Sequence, residues 1–249
     1  MSWLRAWGSA LLFAYTAAAA ALSLSVYTAR TRAVAMRHVY FDAWHVLPGF
    51  TLFAALLSWV LIQITIGLAR GYGLAQFALE LVFHAVVLEL VPFLTAIYVA
   101  LRSGAAMVTQ IAMMQASGQL DELRAAHIDP FEREFVPRIA AAAISVFALT
   151  IVSSSVVMVI AYLVAYGNSP WAFAEYTRTV ALVFGPLALA GFLFKCLVFG
   201  AAVAVIPIAA GLDATREAES VPLAVMGGMV RLFVALALIE LAALAVKYV

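Results

Sequence analysis

Charged side chains are scarce in this chain, because Asp, Glu, Lys and Arg make up only 11% of its 249 residues. A soluble domain carries about 25% charged residues. Apolar residues reach 67%, and the mean hydropathy is +1.08. A chain of this length builds one or two hydrophobic cores, which cannot remove so much apolar surface from water. The composition therefore excludes an ordinary soluble domain and indicates an integral membrane protein.

Other absences exclude whole classes of function. A single cysteine, Cys196, excludes an internal disulfide framework and a cysteine-based zinc site. A net charge of +1 without a basic run argues against a nucleic-acid partner. The motifs G-x-x-x-x-G-K-[ST], G-x-S-x-G and H-E-x-x-H do not occur in the sequence. We therefore predict no catalytic residue and no cofactor, and any active transport must draw its energy from another subunit or an ion gradient.

Five segments are long and apolar enough to cross a bilayer as helices, since about 20 such residues suffice. Glycine-containing turns at 71–73, 167–170 and 211–213 separate several of them. The sequence thus predicts an all-α fold with about five transmembrane helices. The predicted spans are 46–68, 78–101, 139–165, 177–207 and 222–246.

The basic residues predict how these spans are oriented. If the side preceding the first span is cytoplasmic, it receives nine arginines and the other side three basic residues, which follows the positive-inside rule. A further apolar stretch, 7–28, is long enough to cross the membrane or to lie along its surface. We expect it to lie in the cytoplasmic leaflet, anchored by Trp3 and Trp7 and followed by the basic segment 30–37. Residues 1–45 would then form an N-terminal interfacial region.

Nine of the charged residues are concentrated between 102 and 138, which predicts one sizeable cytoplasmic excursion. The part from Ser103 to about Ala126 lacks proline and is rich in good helix formers, so we expect a helix there. Asp129 precedes Pro130 and should end it, because a residue before proline disfavours the helical conformation. A solvated loop is the simpler interpretation, whereas apolar residues among the charges favour docking on another protein. Those apolar residues are Leu120, Leu123 and Ile128.

Ionisable side chains inside the spans are costly in hydrocarbon and usually face a bundle interior or a wet cavity. Lys195 lies near mid-span and must find an anion, for which Glu89 and Glu240 are the candidates. Such a pair could simply fix helix packing, or it could line a cavity for an amphipathic or anionic ligand. Pro92, one turn after Glu89, removes a backbone donor and should kink its helix. The remaining ionisable groups within the spans are Glu80, His84 and Arg231.

A second constellation precedes the first span. His38, Asp42 and His45 are spaced so that they share one face of a helix. Two imidazoles and a carboxylate could bind zinc or iron, which would make a membrane metalloenzyme. Interfacial polar residues at the entry to a span explain the same pattern. Because no third firm ligand is evident, we predict no metal site and keep the metalloenzyme as an alternative.

A spaced set of residues runs from the second span through the charged segment. It continues with the sequence FKCLVFG around Lys195 and the turn Gly211-Leu212-Asp213-Ala214. From about Arg37 to the C-terminus, this pattern resembles the MlaE-type (YrbE-like) permeases, the membrane subunits of MCE-associated ABC lipid transporters. The chain departs from the family pattern in three places. Where the family has glutamate, this chain has Gln110 and Gly118, and the glycine that follows the first of these glutamates is lost. The matching residues are Glu89, Pro92, Arg102, Gly104, Gln119, Leu123, Asp129-Pro130 and Pro137-Arg138.

The resemblance implies a single permease domain over 1–249 that works as a homodimer in the bacterial inner membrane. A cytoplasmic coupling segment, 103–137, would sit on a separate ABC ATPase that binds the ATP. Phospholipid would be held between the two copies and exchanged with a periplasmic MCE-domain protein, and the chain itself would not be an enzyme. A scaffold or sensor that keeps the fold without transporting is the alternative. The implied site residues are Glu89, Pro92, Lys195 and Glu240 for the lipid, and Gly118, Gln119, Asp121, Glu122, Asp129 and Pro130 for coupling.

Overall fold

A computed structural model describes residues 47–74, 77–215 and 220–248. Within these ranges the regular elements are all helical, and five helices are long and apolar enough to cross a membrane. The prediction of an all-α membrane protein with five spans is therefore confirmed. The helices are α1 (Leu47–Gly71), α2 (Ala78–Ala116), α3 (Gln119–Ala125), α4 (Val136–Tyr166), α5 (Phe173–Val183), α6 (Pro186–Leu212) and α7 (Val221–Tyr248).

Several predictions fall outside the described residues. They are the interfacial helix 7–28 with Trp3 and Trp7, the basic segment 30–37, and the residues His38, Asp42 and His45. Among the described residues, no group of three His, Cys, Asp or Glu side chains could hold a metal ion. The metalloenzyme alternative therefore remains an untested interpretation of the sequence.

The spanning helices α1, α2, α4, α6 and α7 alternate in direction around a central α6. Helix α6 packs against α4, α7 and α2, and α1 packs against α4. This connectivity defines the two ends of the bundle. The α3 end carries α3 and the starts of α4 and α7, and the α5 end carries α5 and the C-terminal end of α7.

Helix α2 is longer than the predicted span 78–101, because it continues without interruption to Ala116. Its 39 residues correspond to about 58 Å, almost twice the thickness of the hydrocarbon layer. Nothing in 105–116 stops a helix, since the segment contains neither glycine nor proline. The helix ends at Ala116, just before Gly118, whose φ of 76° is the left-handed conformation that glycine adopts without strain. The single helix predicted over 103–126 is thus two helices.

Pro92 does not break α2. A wider π-helical segment, Phe83–Leu90, precedes the proline, and the helix continues through it. Proline lacks an N–H and crowds the preceding turn, which is why the sequence predicted a kink here. The wider π-helical turn accommodates the proline within a continuous helix. Glu89 lies in this segment, so the π-helical register sets the direction of its carboxylate.

The predicted fourth span, 177–207, begins too early. Helix α5 ends at Val183, and α6 begins only at Pro186 after the extended residue Gly185. A residue before proline is driven out of the helical region, which explains the break. Helix α5 is held to α4 by Tyr176, whose hydroxyl donates to the Met158 carbonyl at 2.9 Å. Burial raises the pKa of Tyr176 to about 12, so this donor keeps its proton.

Candidate functional site

Four ionisable side chains from three helices meet inside the bundle, and we call them the charged cluster. The ammonium of Lys195 on α6 contacts a carboxylate oxygen of Glu89 on α2. The same ammonium lies 2.6 Å from Glu240 Oε2 on α7. Lys247 Nζ, near the end of α7, donates to the second oxygen of Glu89 at 2.7 Å. Two carboxylates and two ammonium groups give the charged cluster a formal charge of zero.

Lys195 is the most enclosed member of the charged cluster, with only 6% of its side chain exposed. One turn further along α6, the ring of Phe199 lies 5.8 Å from the ammonium, which adds a cation–π contact. A buried ammonium needs anionic partners, because the desolvation penalty of an unpaired ion is several kcal/mol. The prediction that Lys195 must find an anion is confirmed, and both candidate glutamates bind it at once.

The other members are only partly covered. The side chains of Glu89 and Glu240 are 16% and 14% exposed, and that of Lys247 is 30% exposed. Glu89 lies eleven residues into α2 and Glu240 lies eight residues before the end of α7, which places them about 16 Å and 12 Å along these helices from the α5 end. The charged cluster is therefore set back from the α5 end of the bundle, and part of it remains open.

Lys247 is the member of the charged cluster that the sequence analysis did not single out. Helical side chains point toward the N-terminus of their helix, so a lysine near the C-terminal end of α7 points back into the bundle. A signal was present in the sequence. Glu240 and Lys247 are seven residues apart and so lie on one face of α7.

The remaining predicted residues in the spans lie elsewhere. Pro92 is buried three residues after Glu89 and contributes no polar group. Arg231 pairs with Asp213 at 3.1 Å, where α6 ends near the α3 end of the bundle. Glu80 is exposed and His84 is partly buried on the turns of α2 that precede Glu89. The structure thus brings Glu89, Lys195 and Glu240 together and leaves Arg231 out.

The predicted coupling residues occupy α3 and the loop after it. Asp121 and Glu122 lie in the first turn of α3, where the helix dipole favours negative charge. The carboxylate of Asp129 accepts a hydrogen bond from the Phe131 N–H at 2.9 Å and so begins the turn that leads into α4. Gln119 is exposed at the start of α3, next to Gly118, and Pro130 is buried.

Leu120 does not project toward a partner, so its prediction as a docking residue is wrong. Its side chain is 1% exposed and belongs to an apolar cluster of the bundle together with Ile111 and Ile139. The hydrophobic effect therefore fastens α3 to α2 and α4. Leu123 and Ile128 remain partly exposed. The segment is a fixed part of the bundle whose carboxylates face outward.

Gln110, where the family pattern has glutamate, contacts Arg138, an arginine that is mostly covered. Arg138 Nη1 donates to Gln110 Oε1 at 3.1 Å, and Arg138 Nη2 donates to Glu134 at 3.1 Å. The Arg138 side chain is mostly covered at the start of α4. The hydrogen bond to Gln110 therefore ties α2 to α4 at the α3 end, while Glu134 holds the same guanidinium from the turn that precedes α4.

Restoring the carboxylate at this position should strengthen the contact. We expect Gln110→Glu to raise the free energy of unfolding by about 1 kcal/mol, because an ion pair with the Arg138 guanidinium replaces a hydrogen bond to a neutral amide. Gln110→Leu should lower it by a similar amount. Gln115→Glu, one and a half turns away on α2, is the matched control. Thermal unfolding in detergent measures all three, and equal midpoints would show that the contact contributes nothing.

Comparison with known proteins agrees with this architecture. The family model described as Permease MlaE matches residues 35–246. A probable ABC transporter permease protein of Synechocystis is 32% identical over 153 residues, which cover 59% of this chain and 57% of the relative. A probable ABC transporter permease protein of Rickettsia conorii is 26% identical over 215 residues, 86% of this chain and 81% of the relative.

A third relative carries a more specific name. The intermembrane phospholipid transport system permease protein MlaE of Haemophilus influenzae is 36% identical over 112 residues, 43% of each chain. The match thus spans little more than half of the Synechocystis relative and less than half of the Haemophilus one. The family model, in contrast, covers most of this chain with all five spanning helices. The chain therefore belongs to the MlaE permease family.

Proposed function

We propose that this chain, as one permease domain over 1–249, is the membrane subunit of an ABC-type phospholipid transport system. Two copies hold the lipid between them, and a separate ATPase that binds the ATP drives its passage. The chain itself performs no covalent chemistry. Family membership and the name of the Haemophilus relative support the substrate class. The observation that carries the proposal is the partly open charged cluster on helices that are mostly apolar.

A phospholipid matches what surrounds this cluster. Charged groups that face hydrocarbon are costly, so the open part of the charged cluster needs a cover such as a headgroup or a second copy of the chain. On the same helix as Glu240, Leu238 and Leu241 are more than half exposed and offer apolar surface for acyl chains. Glu89, Lys195 and Glu240 then line the lipid path at headgroup level, and Pro92 shapes the turn that aims Glu89.

The ATPase contacts the α3 end in this proposal. Gly118, Gln119, Asp121, Glu122, Asp129 and Pro130 form the contact region. Because Leu120 fastens α3 to the bundle, a force applied to α3 acts on the helices as well. Helix α2 runs unbroken from Glu89 to Ala116, about 40 Å, and so connects the lipid path with the coupling segment.

The orientation follows from this assignment. The α3 end faces the cytoplasm, and the α5 end faces the periplasm of a bacterial inner membrane. A periplasmic MCE-domain protein receives or delivers the lipid at the α5 end, where the open part of the charged cluster lies closest to the surface.

Reversing one charge on α3 tests the coupling. We expect Glu122→Lys to lower the stimulation of ATP turnover on the order of tenfold, since like charges now meet where opposite charges steered the contact. Asp129→Asn should have a much smaller effect, because the amide oxygen still accepts the Phe131 N–H. Co-purification of the ATPase and its turnover in nanodiscs are the measurements.

Glu175→Lys, a charge reversal on the exposed face of α5 at the opposite end, is the matched control. Normal complex formation and normal turnover in Glu122→Lys would contradict the coupling role of α3. A wild-type complex whose ATP turnover does not respond to lipid would instead support the alternative of a non-transporting scaffold. Gln110 and Gly118, which depart from the family pattern, motivate that alternative.

A further inference from the structure

Arg102 matches the family pattern, yet neither the charged cluster nor the coupling contact uses it. The residue is exposed on α2, and among the described residues its guanidinium has no hydrogen-bond or ion-pair partner. Residues 1–46 contain four arginines and a single aspartate, so that segment also has positive charge in excess. An arginine keeps its charge in a protein, and an unpaired charge facing hydrocarbon is costly. Arg102 therefore needs an anion that the described residues do not supply.

Arg102 lies close to the edge of the hydrocarbon layer on the side of the α3 end. One turn earlier on α2, the Tyr98 ring packs on Phe50, with 4.7 Å between the ring centroids. Phe50 is three residues into α1, which runs antiparallel to α2, so Arg102 is level with the first residues of α1. Because the apolar span of α1 begins at this level, an arginine side chain here reaches the lipid headgroups.

The open face of α2 changes from apolar to cationic at Arg102. A π-helical segment at Ala100–Gly104 widens the helix, and buried residues recur every four positions on both sides of it. Residues four apart therefore share one face, and the partly or fully exposed face carries Leu94, Tyr98, Arg102 and Ala106. A leucine, a phenol, a guanidinium and a small residue follow one another toward the α3 end. This is the order of acyl chain, interface and headgroup in a lipid of that leaflet.

We infer that Arg102 binds the phosphate of a phospholipid in the leaflet at the α3 end, about 20 Å along α2 from Glu89. Lipid phosphates are the anions that a bilayer supplies at this level, and a planar guanidinium binds a phosphate through two parallel hydrogen bonds. Tyr98 lies against the glycerol region, and the small Ala106 leaves room for the headgroup. The inference goes beyond the proposed function and does not rest on it, since it holds whether or not lipid passes the charged cluster.

Photochemical capture tests this site, because a site open to the bilayer exchanges its lipid during purification. Ala106→Cys, one turn after Arg102, is labelled with benzophenone maleimide, and the buried Cys196 is shielded from the reagent. The full-length labelled chain in detergent receives a few equivalents of phosphatidylglycerol and is illuminated. We expect mass spectrometry to find a phosphatidylglycerol adduct at position 106.

Variants of Arg102 in the labelled chain test the guanidinium itself. Arg102→Gln should lower the adduct yield about tenfold, as expected for the loss of a charge-assisted contact. Arg102→Lys should lower it less, because an ammonium keeps the charge but lacks the planar fork. Arg70→Gln, which removes an exposed arginine at the opposite end of α1, is the matched control and should leave the yield unchanged. An unchanged yield in folded Arg102→Gln would overturn the inference.

Competing molecules identify the anion even if Arg102→Gln fails to fold. Diacylglycerol with the same acyl chains lacks the phosphate and should give about a tenfold lower yield, whereas equal yields would overturn the inference. Displacement of the lipid by an equal concentration of inorganic phosphate would also overturn it, since the site would then bind a free anion. So would a cross-link to residues 1–46 or to a second copy of the chain in place of lipid. Each of these negative results leaves the charged cluster and the proposed function untouched.

Discussion

Replacing Lys195 with alanine should both destabilise the protein and remove most of its bound phospholipid. We expect the free energy of unfolding to fall by about 3–5 kcal/mol, the usual cost of breaking a buried ion pair by deleting one partner. Glu240 loses its ammonium contact, and Glu89 keeps Lys247. The charged cluster then carries a formal charge of −1, which repels a lipid phosphate. Chemical unfolding in detergent and mass spectrometry of bound lipid measure the two effects.

A compensating variant distinguishes charge from a general loss of packing. Lys195→Ala combined with Glu240→Gln returns the formal charge to zero and should recover much of the stability and part of the lipid. Arg178→Ala, an exposed position on α5, is the control for loss of a cation without loss of a buried contact. If folded Lys195→Ala protein retains the wild-type amount of lipid, the charged cluster serves only helix packing.

The second large effect is expected at Gly200, where α6 and α4 are in close backbone contact. A Cβ atom at Gly200 would lie 2.7 Å from the Cα of Ala143, a backbone atom that cannot move aside by rotating a side chain. We expect Gly200→Ala to lower the free energy of unfolding by about 1–3 kcal/mol, the range for overpacking a well-packed core. Thermal unfolding in detergent is the measurement.

Gly191→Ala is the matched control, because it lies on the same helix and its Cβ would meet nothing within 4 Å. Alanine is the better helix former, so this variant should unfold at the same temperature as the wild type or slightly higher. Equal midpoints for the two variants would show that α6 and α4 can separate without cost, contrary to the packing seen around the central helix.

Hydropathy was sufficient for the five spans among the described residues, because a bilayer imposes one length and one polarity on every crossing segment. It was insufficient at two boundaries. The predicted second span ended at 101, where the sequence becomes more polar. No residue of α2 interrupts the helical backbone before Gly118. The predicted fourth span began at 177, although Gly185 and Pro186 break the helix inside this apolar segment. In both places backbone chemistry overrides hydropathy.

The candidate site was predictable in part for a related reason. A lysine at mid-span must pair with an anion, so the free-energy cost of an unpaired charge in hydrocarbon was enough to identify Lys195, Glu89 and Glu240. Lys247 was missed because its position near a helix end suggested that it reaches for water. Leu120 was misread because an apolar residue among charges can face either a partner or its own bundle, and a sequence does not show which.

The amino-acid sequence by itself determined that this protein is a helical membrane protein, which five segments of the described residues are apolar enough to cross, and which buried charges require partners. These properties follow from the energy of moving single segments and single side chains between water and hydrocarbon. Only the tertiary structure decided that Lys195 binds both glutamates, that Lys247 turns inward to Glu89, and that Leu120 fastens α3 to the bundle. The two contacts of Glu89 join residues more than a hundred positions apart. All of these contacts depend on how helices are rotated and packed against one another.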